Sequence, residues 1–183
     1  MKTLKTIQTL SKIGRILSVI VFIFAVVGAA LCVAGIISLA LIPEGFKIGG
    51  TTIHGLIEDK AGIGTGTLYS ALISGVFISA GEAVLAKMAE LYFRHELEAG
   101  TPFTFDGAKK LIRLGIFTIC VPVITAAITA VVHAIMTLFY ANVKDPSDTV
   151  SVSIGLGVMF IITGLICRHG AEVIAPQGDR PER

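Results

Sequence analysis

Two ionisable side chains interrupt the apolar runs of this sequence, Glu82 and His133. Glu82 stands about a turn inside the boundary that Lys87 marks. Carboxylates within a membrane span are costly and often functional. Two readings follow: a structural ion pair with Lys110 or Arg113 on a neighbouring helix, or a proton- or ligand-linked role. His133 lies two turns from the end of the third apolar run and reads as a packed or hydrogen-bonded histidine, with a proton relay as the alternative. No acidic residue in the fourth run faces it, which weakens the relay. His95 and His169 fall at helix ends near Glu96 and Glu172, but their spacing supports a metal site poorly. The three cysteines, Cys32, Cys120 and Cys167, sit far apart inside apolar runs and read as packing residues with inert thiols. The chain carries no Gly-x-Ser-x-Gly, no phosphate loop and no His-Glu-x-x-His. Gly155-Leu-Gly157 reads as helix packing. The expectation is a protein without catalytic residues, cofactor or metal.

The elements that must hold these residues are legible from composition. Of 183 residues, 54% are hydrophobic and 15% charged, with a mean hydropathy of +0.84. Soluble domains carry about 25% charged residues. The net charge of +2 gives no reason to expect direct nucleic-acid binding. The residues predict one integral membrane domain over 1–183: an all-α, antiparallel bundle of four transmembrane helices. The spans fall at about 16–42, 67–87, 109–140 and 149–168, with a tail over 169–183. The first follows a basic lead (Lys2, Lys5, Lys12, Arg15) and exceeds the apolar length of a cleaved signal peptide, so it reads as retained. Gly-Ala-Ala-Leu-Cys32 lacks a small residue at Leu31, against lipoprotein cleavage. Between the first two spans, Gly49-Gly50 separates short β-prone runs and predicts a small extracytoplasmic β-hairpin. Ala71, Gly75 and Ser79 recur at four-residue spacing and permit close helix approach. Pro122 should kink the third helix. Ser147 or Asp148 suits the cap of the fourth.

The second helix is expected to continue past its span to residue 99, with Lys87, Glu90, Arg94 and Glu98 three or four apart and Glu90–Arg94 in the favoured orientation. Gly100-Thr-Pro102-Phe103 breaks it, Thr104 caps the third helix, and Asp106 suits the dipole of its first turn. Lysine and arginine set the topology. Four lie in the lead, five between Lys87 and Arg113 (with Arg94, Lys109 and Lys110), and three at the C-terminal end, against Lys47, Lys60 and Lys144. The positive-inside rule then places both termini and the connection between helices two and three in the cytoplasm of a multi-pass cell-membrane protein.

Pro102-Phe103-Thr104, Ala108-Lys109-Lys110-Leu111 and Arg113-Leu114-Gly115 together resemble a signature of the bacterial four-span membrane-protein family catalogued as domain of unknown function 2975. The aromatic stem Leu91-Tyr-Phe93 and Gly170 also fit. Gly107 stands where the family pattern has Asn, and Pro176-Gln-Gly-Asp179 replaces an acidic run. The resemblance implies no activity; it implies a regulatory partnership with a small helix-turn-helix protein. The combined expectation is a non-enzymatic regulatory or sensory protein, in the bilayer and self-associating where its small-residue faces allow. It would act on a partner through the helix 2–3 connection: Arg94, Pro102, Phe103, Thr104, Lys109, Lys110 and Arg113. The alternative is a small transporter, channel or accessory subunit, for which the spans offer mainly Ser, Thr and Gly.

Overall fold

The computed structural model describes residues 2–41, 47–48, 51–52, 65–100, 104–140, 143 and 154–174. Four helices dominate them: α1 (Lys2–Leu41), α2 (Thr65–Ala99), α3 (Phe105–Phe139) and α4 (Ile154–Ile174). Each is long and apolar enough to cross a membrane. Between α1 and α2, β1 (Lys47–Ile48) and β2 (Thr51–Thr52) pair antiparallel, Lys47 with Thr52 and Ile48 with Thr51. The remainder of the expected hairpin, Gly49-Gly50 included, lies outside the described residues, as do the expected cap at Ser147 or Asp148 and residues 149–153 of the expected fourth span.

The helix limits have local causes. Gly100 stops α2: its φ of +70° belongs to the left-handed region that glycine enters without penalty. Its N–H donates to the Glu96 carbonyl at 3.0 Å, closing a single-bond αL cap. Thr104 starts α3, accepting the Gly107 N–H on Oγ1 at 3.0 Å while its carbonyl accepts the Ala108 N–H at 2.9 Å. Helix α3 therefore begins four residues before the expected span. At the other end, helix α4 runs to Ile174, with Arg168 paired to Glu172 one turn on.

Two compact units divide the chain. Unit 1 comprises Met1–Ile23, Ala83–Val121 and Val152–Arg183; unit 2 comprises Phe24–Glu82 and Pro122–Ser151. Pro122 lies inside α3 at this division. Proline has no N–H to give the Thr118 carbonyl, so the helix loses a bond there. The Thr118 hydroxyl meanwhile donates to the Leu114 carbonyl at 2.8 Å.

In unit 1, α3 and α4 run antiparallel in close contact. A Cβ at Gly115 would sit 2.7 Å from the Gly157 carbonyl oxygen, and one at Gly164 would sit 3.2 Å from that of Ala108. Gly157 thus packs as expected, whereas a Cβ at Gly155 would meet nothing within 4 Å among the described residues outside its own turn. Tyr92, Leu111 and Leu114 form the core, with Met88, Ala89, Phe93 and Phe160 against it. Phe93 also lies over Gly14 of α1.

In unit 2, α1 and α2 pair antiparallel through Gly28 against Ser79, Cys32 against Gly75, and Gly35 against Leu72. Gly75 and Ser79 thus use the close approach expected of them. Ala71 does not: it is exposed, and Leu72 takes its place at the contact. Helix α2 meets α3 where Gly66 packs on Tyr140 and Tyr69 stacks with Tyr140, ring centroids 6.3 Å apart.

Candidate functional site

The candidate site is the polar end of unit 1, built from the last turns of α2, the first turns of α3 and the start of α1. At about 1.5 Å per residue, the 35 residues of α2 reach roughly 50 Å, well beyond a hydrocarbon core of about 30 Å. The polar residues from 88 onward lie past its apolar stretch. Their spacing decides their partners, and the partners differ from the expected Glu90–Arg94 pair. Glu90 pairs back to Lys87, which lies over the Phe22 ring, 5.8 Å from its centroid. Arg94 pairs forward to Glu98 at 2.9 Å. The Lys87 ammonium, donating to Glu90, holds that carboxyl below the usual carboxylate range, and Arg94 does the same to Glu98.

Thr104 and Asp106 organise the start of α3. Lys110 donates to Asp106 at 2.8 Å, which lowers the pKa of the Asp106 carboxyl. His95 Nε2 approaches the same carboxylate at 3.3 Å, off the alignment of a hydrogen bond. The Asp106 carboxylate thus pairs with Lys110 on its own helix and lies close to His95 of α2 without a hydrogen bond to it. Lys109 and Arg113 are exposed. Pro102 and Phe103 lie outside the described residues.

Glu96 is the residue that sequence reasoning undervalued. It is half-buried, and the hydroxyls of Ser11 on α1 and Tyr92 on its own helix donate to its carboxylate. Burial outweighs those two bonds and raises the Glu96 pKa. Burial likewise pushes the Tyr92 phenol up. The i, i+4 spacing of Tyr92 and Glu96 was readable. Ser11, 85 positions from Glu96 in sequence, joins only through the packing of α1 on α2.

Glu82 and His133 belong to unit 2, and the residues above to unit 1. Glu82 is exposed, and Lys110, one of its two expected partners, pairs with Asp106. His133 is partly buried, and its Nδ1 is enclosed without a hydrogen-bond partner among the described residues. Among the described residues no group of three or more His, Cys, Asp or Glu could hold a metal ion; His95 turns to Asp106 and His169 to Glu172, the latter at 4.0 Å. No family profile matches the chain, and neither a curated protein nor a solved structure shows significant similarity to it.

Proposed function

We propose that the chain is a multi-pass integral membrane protein of the cell membrane, with both termini and the α2–α3 connection in the cytoplasm and the β1–β2 ladder outside. In this reading it is a non-enzymatic regulatory or sensory protein acting through that connection, as the resemblance to the domain of unknown function 2975 family implies. The observation that carries the membrane part is where the oil lies: large apolar side chains such as Phe24 (72% exposed), Met159 (65%) and Leu138 (81%) stand outward along the helices. Soluble monomers rarely leave contiguous apolar surface of such extent uncovered; acyl chains would cover it. The regulatory part draws on the polar end of unit 1. There Arg94, Glu98, Lys109 and Arg113 stand exposed beside the Thr104 cap and the Lys110–Asp106 ion pair. A small cytoplasmic protein, a helix-turn-helix regulator among the candidates, would read that charged face.

Site-specific photo-crosslinking in cells tests it. A crosslinker replacing Arg94 or Lys109 is expected to capture one discrete protein, and the same group at Leu138 to capture none. If Arg94 and Lys109 yield no protein adduct, the partner reading fails. The transporter or accessory-subunit alternative draws on a different observation, the unpartnered polar groups inside unit 2.

A further inference from the structure

Hydroxyls in apolar helices normally bond back to a carbonyl of the preceding turn, and this chain follows the rule repeatedly. Ser18 donates to Gly14, Thr118 to Leu114 and Thr163 to Met159, each at 2.8 Å, and Thr137 donates to Ala134. Among the described residues, three fully buried hydroxyls break it. Ser70, Ser74 and Thr129 are each 1% exposed, and their oxygens have no hydrogen-bond partner among the described residues. His133 Nδ1 is the fourth such atom in unit 2.

These four sit at neighbouring heights. Gly66 packs on Tyr140, and from that contact α2 and α3 run in opposite directions. Four residues along α2, Ser70 comes level with Met136. Four further, Ser74 comes level with Val132, beside His133. Thr129 lies one turn beyond. At about 1.5 Å of rise per residue, all four fall within roughly 10 Å along the unit. On the α1 side, Cys32 packs on Gly75, next to Ser74. Thr125, a further turn along the Thr129 stripe, is partnered.

Buried polar groups are nearly always hydrogen-bonded, and the unsatisfied ones are costly. Four such groups within about two turns of one another call for small partners that can bond to hydroxyls and an imidazole. A bare cation suits them badly, because three hydroxyls and an imidazole carry no negative charge to offset its desolvation, and Glu82, the carboxylate among the described residues of unit 2, is exposed. Water fits: it donates and accepts, and buried water typically makes about three bonds to groups of this kind. We propose that unit 2 encloses a hydrated polar site, with water held among Ser70, Ser74, Thr129 and His133. This inference does not depend on the regulatory reading.

Water-edited solid-state NMR of the protein in deuterated lipid bilayers tests it. Side-chain signals of Ser70, Ser74 and Thr129 are expected to gain magnetisation from water several-fold faster than Thr163, whose hydroxyl is already bonded on an exposed apolar face. In parallel, Ser74→Ala and Thr129→Val are each expected to lower the thermal midpoint by a few degrees, because each strands a bound water. A dry site gives the opposite sign, since removing an unsatisfied hydroxyl relieves the fold. Transfer as slow as at Thr163, or a midpoint unchanged or raised in both variants, overturns the proposal.

Discussion

A single carboxyl, Glu96, shows how much one position depends on its cover. Its proton is held more tightly in the folded protein than in the unfolded chain, because burial disfavours the anion more than Ser11 and Tyr92 favour it. A carboxyl whose folded pKa is raised contributes stability at low pH that is lost as pH rises through that value. Stability is therefore expected to fall with pH just above the ordinary carboxylate range. Glu90, Glu98 and Asp106, all lowered, act oppositely and at lower pH. Glu96→Gln, which mimics the neutral form, is expected to flatten the upper part of this profile and to be no less stable than the parent at neutral pH. Thermal unfolding of both proteins between about pH 4 and 8 checks this; matching slopes would remove Glu96 as the cause. The exposed ion pairs at the same end contribute little by comparison, as solvent and salt screen them.

Pairs of helices are set by where a side chain is missing. A Cβ at Gly115 would meet the Gly157 carbonyl and, at 3.0 Å, the Ile161 nitrogen. Both are backbone atoms that move only with the whole of α4. Gly115→Ala is expected to cost about 1–3 kcal/mol, as overpacking does, while Gly155→Ala, facing open space, changes little or gains from helix propensity. Denaturation of the two variants in detergent measures the contrast, and equal effects would mean that the α3–α4 contact is looser than described. The same logic explains the choice between Ala71 and Leu72. Four-residue spacing selects a stripe on α2, but the glycines of α1 determine which neighbouring side chain fits, and Gly35 accommodates Leu72.

At the scale of the whole molecule, the orientation proposed from the lysine and arginine count predicts a labelling pattern. In a cysteine-free background, single cysteines at Lys2 and Arg183 are expected to react with a membrane-impermeant maleimide only after the cells are opened. One at Thr51 is expected to react in intact cells. Labelling of Lys2 or Arg183 positions in intact cells would invert or break the topology.

Helix existence was written in the sequence, because runs of 20 or more apolar residues leave the backbone no other way to satisfy its hydrogen bonds away from water. So were the ends of α2 and α3, since Gly100 and Thr104 act through bonds within one turn. The stem past residue 87 was legible too, but its ion pairs were not: Lys87, Arg94 and Glu98 offered Glu90 and Arg94 several partners at helical spacing, and side-chain packing chose among them. What only the tertiary structure decided depends on contacts between distant segments. Ser11 reaches Glu96 because α1 packs on α2. Glu82 stays exposed while Lys110 turns to Asp106. Ser70, Ser74 and Thr129, unremarkable as isolated polar residues, fall within about two turns of His133 because α2 and α3 are brought together antiparallel at Gly66 and Tyr140, and linear spacing carries no record of which faces meet.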